Sequence, residues 1–239
     1  MEPSGSLSAE AHFLLLTDPR LPTGGHAHSG GLEEAVASGR VRTLADLAAF
    51  LTGRCATTGF ADACLAAAAA LAGARDDVRP GASGSWAELD AEASARCASP
   101  ALREIARAQG RRLVRLGRHT WKSAALEALA EATGGRPFCS IGLGALAAGA
   151  GLGADHAALA AANAAITGPA WAAVRALALD PYAIAAMLVD LAPAVGELAA
   201  HAATAARELP LRSLPAPGAP LLDLGAERHA RWEVRLFAS

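Results

Sequence analysis

Lysine is nearly missing from this chain: Lys122 is the one lysine in 239 residues, and arginine carries the rest of the basic charge. Lys and Arg together number 21 against 23 Asp and Glu, for a formal net charge of −2. That balance gives no basic footprint for nucleic acid or for an anionic membrane. Aromatic residues make up only 4% and β-branched residues are scarce, so the chain is short of the side chains that favour strands. The four cysteines, Cys55, Cys64, Cys97 and Cys139, form no C-x-x-C pair and no zinc-finger spacing. They read as small core hydrophobes, not as a disulfide framework. Residues 1–10 are polar and acidic and lack the basic flank and apolar stretch of a signal peptide, so a cytoplasmic location is expected. Pro137 to Ala154 is free of charge, and its length approaches the ~20 residues of a membrane span. It is mostly glycine and alanine, and alanine is nearly neutral for insertion, which predicts a buried helix in a soluble core.

What the chain has in abundance is small apolar side chains: 53% of residues are hydrophobic and alanine dominates them. Alanine is the best helix former, so the composition predicts an all-α protein whose helices approach closely. The length suits one domain better than two. The expected organisation is a flexible N-terminus over residues 1–12, a single-domain bundle of about eight to ten helices over 13–208, and a Pro-rich C-terminal docking tail over 209–239.

Local signals place the elements. Four glycines and two prolines between Asp18 and Gly31 forbid a regular helix there. Leu32 to Ala37 then reads as a short helix stopped by Gly39. Thr43 with Asp46 three residues later forms an approximate capping box for the next helix, and an Ala-rich helix follows from about Ala61 to Leu71. Gly73 to Ser85 is a loop by composition, with a helix around Trp86 to Ala95 behind it. Ser99 and Pro100 open a helix that runs to about Trp121. After a break at Thr133 to Pro137, helices are predicted at Ser140 to Ala150, at Asp155 to Ala176 with a kink at Gly168-Pro169, and from Pro181 to about Arg207 with a bend near Pro193. Leu209 to Leu222 is expected to be extended, and Asp223 to Ser239 to form an amphipathic, aromatic tip that docks on something.

The glycine-rich segment Thr23 to Gly31 could cradle an anion with its backbone amides. A P-loop needs a lysine directly after its last glycine, however, and Lys122 is remote; a dinucleotide fingerprint needs a βαβ unit that this chain does not offer. Ala27-His28-Ser29-Gly30-Gly31 approximates a nucleophile elbow, which makes a serine hydrolase with Ser29 as nucleophile, Asp223 and His229 as partners, the alternative reading. Without a central sheet those three have no reason to converge. His26 and His28 stand two apart, so in an extended segment both rings would project to one side as two ligands for a nickel-like or zinc-like ion. The competing reading is that both satisfy loop backbone groups or line an interface. The acid pairs Glu33-Glu34 and Asp76-Asp77 do not face one another on a helix and read as solvated or helix-terminal, with Glu33 favoured near a first helical turn.

Leu21-Pro22-Thr23-Gly24-Gly25 followed by Ala27-His28-Ser29-Gly30-Gly31-Leu32-Glu33 resembles the N-terminal signature of the UreF family of urease accessory proteins. Asp223-Leu224, Arg228-His229 and Arg235-Leu236-Phe237 resemble the closing segment of that family. Between them, Ala108-Gln109-Gly110-Arg111-Arg112-Leu113 is similar to its middle helix and Gly142 to Gly151 to its Ala/Gly-rich helix. Departures are His26 at a usually aromatic position, Arg136 before Pro137, the turn at Ala176 to Pro181, and Ala238. The resemblance implies a non-catalytic, cytoplasmic, all-helical homodimer that binds the UreD (or UreH) accessory protein, recruits the UreG GTPase and helps deliver nickel to apo-urease. No tightly bound cofactor is implied, and nickel would be handled by the complex. Partner-binding roles are expected on this reading for Pro22, Thr23, Gly24, Gly25, His28, Ser29, Gly30, Gly31 and Glu33, and for Asp223, Arg228, His229, Arg235, Leu236 and Phe237, while Trp232 joins them as a large side chain of the kind that anchors interfaces.

Overall fold

Helix starts follow the caps written in the sequence. In the computed structural model, which describes residues 4–75 and 84–238, Thr43 Oγ1 accepts from Asp46 N at 3.2 Å while Asp46 Oδ2 accepts from Thr43 N at 3.0 Å, completing the capping box of α3 (Leu44–Arg54). A π turn at Cys55–Gly59 joins α3 to α4 (Phe60–Gly73), so the two run on as one 30-residue helix where the sequence suggested two separate ones. Ser99 caps α6 (Pro100–His119), with Pro100 at its first position, and Ser123 caps α7 (Ala124–Ala132). Sequence reading did not resolve α7. Asp180 caps α10 (Pro181–Glu208), again with a proline first. The remaining helices are α1 (Ser4–Leu16), α2 (Leu32–Ala37), α5 (Gly84–Ala95), α8 (Cys139–Gly149), α9 (Ala154–Leu177) and α11 (Pro220–His229). Among the described residues there is no strand, and the fold is an all-α bundle.

Two expectations are corrected. Ser4 to Leu16 is helical, where a flexible start was expected, and it is pinned by His12 Nδ1 to Ala150 O at 2.9 Å. Leu209 to Leu222 is not extended throughout: a 3-10 turn occupies Leu211–Ser213, and α11 begins at Pro220, because proline fits the first turn of a helix as well as it fits an extended segment. The C-terminal tip docks on its own chain, with α11 packed against α2 and α6. Of the loop at Gly73 to Ser85, residues 76–83, including Asp76-Asp77, lie outside the described residues.

Helix α4 forms the middle of the bundle, packed by α8, α9 and α10. Small side chains make this possible. A Cβ on Gly144 of α8 would lie 2.2 Å from Ala66 O of α4, and one on Gly110 of α6 would lie 1.8 Å from Pro137 O, so backbones meet almost directly at both crossings. One large apolar core runs through α3, α4, α9 and α10, and a second, centred on Trp86, Leu126 and Ile141, lies beside it. By length and composition Leu44–Gly73, Ala154–Leu177 and Pro181–Glu208 could each cross a membrane, but the apolar stretches of the first two are mostly buried within the bundle. Helix α8, from the charge-free segment, has 11 residues, too few to span. All four cysteines are free thiols, and burial pushes Cys64 and Cys97 to about 11 and Cys139 to about 12.

Two irregularities face each other where the core meets the Gly-rich loop. Pro169 lies inside α9 and has no N–H for the carbonyl of Ala165 four residues back. Arg54, next to the π turn, supplies the missing donor from Nε at 3.0 Å. Gly59 in that turn lets the helices close up, since a Cβ there would sit 2.9 Å from Ala165 Cβ.

Candidate partner-docking site

The Gly-rich segment is a series of turns that ends by starting α2. Thr23 N bonds Leu21 O at 2.7 Å around Pro22, and Gly25–Ala27 forms a 3-10 turn. Gly24 and Gly30 have φ of 74° and 62°, a region L side chains avoid. Space reinforces this, because a Cβ on Gly24 would lie 2.0 Å from Arg112 Nη1 and one on Gly30 2.8 Å from Pro169 Cγ. The loop is therefore moulded onto α6 and α9. Gly31 faces Leu222 of α11, and Ser29, fully buried, accepts from Glu33 N with its Oγ at 3.2 Å.

Glu33 is the point at which loop and tail meet. Its carboxylate is buried and takes three hydrogen bonds from residues about 200 positions away: His229 Nε2 at 2.8 Å, Leu236 N at 2.7 Å and Phe237 N at 3.1 Å. Burial pushes this carboxyl up, but Leu236 N, the His229 ring and Phe237 N together hold it below the ordinary value. Ala238 N closes the segment onto Ala27 O at 2.7 Å. Phe237 is buried under the guanidinium of Arg175, 4.3 Å from its ring centroid, and the Trp232 ring rests 4.8 Å from that of His229.

Neighbouring acids anchor α11. Glu34 is buried and pairs with Arg40, with Arg228 Nη1 at 3.5 Å on its other oxygen. Asp223 Oδ1 accepts from Ser99 N at 3.3 Å, and Glu227 accepts from Ser99 Oγ and from Ala101 N at 2.9 Å. Two carboxylates of α11 thus sit at the N-terminus of α6, where the helix dipole favours negative charge.

The structure divides the expected partner-binding residues into two groups. Ser29, Glu33, His229 and Phe237 are buried inside one chain, and Pro22, Thr23, Gly24, Gly25, Gly30, Gly31 and His28 shape the loop around them. Arg228, Arg235 and Leu236 are exposed, and Trp232 is half-buried. Val234 beside them is 87% exposed and Leu236 66%, so the pinned segment displays apolar side chains outward. Leu221 and Leu224 on α11 are exposed as well. Sequence reasoning missed Arg40, Arg175 and Glu227. For Arg175, far from Phe237 in the chain, no local signal exists; for Glu227, an acid within a helix four residues after Asp223 was the available hint.

The hydrolase reading fails on geometry. Ser29 is fully buried, Asp223 is committed to α6, and His229 to Glu33. The extended segment assumed for a His26–His28 ligand pair is not formed: His28 is extended, but the His26 backbone lies in the 3-10 turn, and its side chain lies outside the described residues. Among the described residues no group of three or more His, Cys, Asp or Glu could hold a metal ion.

The family model for UreF matches residues 41–192. A urease accessory protein UreF from Mycolicibacterium vanbaalenii is 44% identical over 233 residues, 98% of this chain and 100% of the relative. The UreF of Mycobacterium marinum is 41% identical, covering 96% of this chain and 98% of its own, and that of Mycobacterium tuberculosis is 37% identical, covering 98% and 100%. The family model over residues 41–192, joined to similarity along nearly the whole length, leads to one conclusion: the chain belongs to the UreF family of urease accessory proteins.

Proposed function

We propose that this chain serves urease maturation as a non-catalytic assembly factor, binding a UreD or UreH partner and, with it, the UreG GTPase and apo-urease, in the cytoplasm. One observation carries the reading. The Glu33 clamp fixes residues 234–237 so that Phe237 faces inward while Val234, Arg235 and Leu236 are held outward, ordered before any partner arrives. An interface built on a pre-ordered segment avoids the entropy of ordering it on binding. Exposed Leu221 and Leu224 extend the same apolar display.

Self-association has its own support. On α10, Tyr182, Ala186, Val189, Pro193 and Ala200 are exposed at helical spacing, an uncharged stripe of mostly small side chains suited to a flat contact between copies. Val189→Arg is expected to yield a monomer by light scattering.

The test of the main reading is co-expression with UreD or UreH and UreG followed by size-exclusion chromatography. Deleting residues 223–239 would be a blunt tool, because it also removes the acids at the start of α6. Val234→Asp with Leu236→Asp changes only outward side chains, and it should abolish co-elution while leaving the helical circular dichroism intact. Unchanged co-elution would overturn the reading.

A further inference from the structure

The most sharply two-sided helix in the molecule is α6. Ala106, Gly110, Leu113, Val114, Leu116 and Gly117 are buried on one side. Between Glu104 and Glu127 the sequence holds Arg107, Arg111, Arg112, Arg115, Arg118 and Lys122 and no acid. The rest of the chain is then at about −8, since the whole is at −2. Arg107, Arg111, Arg115 and Arg118 follow one another at spacings of four, four and three, which places them on one face along roughly 16 Å of helix.

Three acids around this strip are already engaged. Asp90 holds Arg107 at 2.5 Å, Glu127 holds Arg118 at 2.7 Å, and Glu104 is taken by Arg136 at 2.6 Å. Glu131, exposed on α7, lines the same shallow depression as Arg118 and Glu127. Arg111, Arg112, Arg115 and Lys122 are exposed and make no ion pair among the described residues. Like charges at i,i+4 destabilise a helix, so Arg111 and Arg115 weaken α6 without internal compensation. Arg112 lies against Gly24, which makes the strip border the Gly-rich loop.

We propose that the Arg111, Arg112, Arg115 and Lys122 face of α6 is a docking surface for a protein partner that presents clustered carboxylates. Guanidinium forks match carboxylates in paired geometry, and three of the four residues are arginine. The short length of the strip favours a compact acidic patch over a polyanion. A nucleic acid duplex at 3.4 Å per base pair would cover the strip in about five pairs and then run past its end, along a chain whose remaining charge is about −8. Trp121, beside Lys122 in the chain, is half-buried and edge-on to His12, and Phe138 beneath Arg107 is buried, so the face offers no stacking platform for bases.

The test needs none of the urease proteins, so its outcome is independent of the loop-and-tail reading. A fluorescein-labelled deca-glutamate peptide is titrated with the full chain and followed by anisotropy at 50 and 300 mM NaCl. Binding is expected at the lower salt, with a loss of at least about tenfold at the higher. Arg111→Gln with Arg115→Gln and Lys122→Gln should weaken it about tenfold or more, and Arg212→Gln, on an exposed arginine elsewhere, should leave it unchanged. No binding at low salt, binding insensitive to salt, or full binding by the triple variant would overturn the proposal. Tighter binding of a single-stranded oligonucleotide or of phosphatidylserine vesicles under the same conditions would overturn it too, reassigning the face to nucleic acid or membrane.

Discussion

Glu33→Ala removes the shared acceptor of three hydrogen bonds at once, and the size of the effect can be worked from the contacts. A hydrogen bond to a charged group contributes about 1.5–3 kcal/mol, and each buried donor left without its acceptor costs about 1–3 kcal/mol. The two estimates overlap because both include the donors left buried, so the expected loss is about 3–5 kcal/mol in all. It should fall locally. Helix α11 keeps Asp223 and Glu227 on the start of α6 and Leu222 on Gly31, whereas residues 234–238 lose most of what holds them. With tenfold per 1.4 kcal/mol, amide exchange at Leu236 and Phe237 should accelerate roughly 100- to 4,000-fold, while amides of α4 and α8 keep their protection. Trp232 emission should shift red as its contact with the His229 ring loosens. Unchanged exchange at Leu236 and Phe237 in the variant would refute the clamp. The pH dependence has a definite sign. Because the folded carboxyl sits below its ordinary value, its stabilisation is complete above the unfolded pKa and is lost as pH falls through the lower folded one. The tail of the unmodified protein should therefore stay protected at neutral pH and loosen only in strong acid.

Other perturbations test the remaining joints. Asp62 is raised to about 6 by burial, only partly offset by Arg54, so the cost of its charge appears as pH rises between the unfolded value and 6; Asp62→Asn should raise Tm at pH 7.5 by the equivalent of about 1–3 kcal/mol and leave it unchanged near pH 3.5. Gly110→Ala puts a methyl into Pro137 O and should cost about 1–3 kcal/mol or more in urea unfolding, because a backbone and not a flexible side chain must yield. Ala178 ends α9 at φ 53°, so Ala178→Gly should stabilise by about 0.5–1 kcal/mol once the extra freedom of glycine in the unfolded chain is subtracted. Arg54→Met should cost about 1–3 kcal/mol in the same unfolding assay, since it orphans the Ala165 carbonyl beside Pro169.

Much of the architecture was legible because local chemistry decides it. Alanine content set the class, and Thr43-Asp46, Ser99-Pro100 and Asp180-Pro181 set helix starts through side-chain bonds made within three residues. Helix α7 escaped because its cap, Ser123, follows directly on the end of α6 with no proline or glycine between. Helix α11 escaped because proline serves both extended chain and a first helical turn, and only the distant Leu222 contact with Gly31 separates the two outcomes. The candidate site was legible as two segments but not as one object. Nothing within ten residues of Glu33 indicates that its partners are Leu236 and Phe237, because that pairing is a property of the closed fold.

That closure also explains why the glycines of the loop and the proline of α9 belong to the same construction. Pro169 leaves the Ala165 carbonyl unpaired, Arg54 crosses from the π turn to pair it, and Gly30 lies against both, since a Cβ there would meet Pro169 Cγ at 2.8 Å and Arg54 Cζ at 3.3 Å. Immediately afterwards Gly31 and Glu33 take the tail. The position of the displayed segment 234–236 is thus set through a short chain of contacts reaching into the middle of the bundle, and a substitution at Gly30 should move the outward side chains without touching them. Gly30→Ala tests this directly: strained at φ 62° and pressed on Pro169, it should raise exchange at Leu236 and Phe237 in the manner of Glu33→Ala, whereas Gly53→Ala, at an open helical site, should not. Equal behaviour of the two glycine variants would mean that the loop is seated independently of the tail.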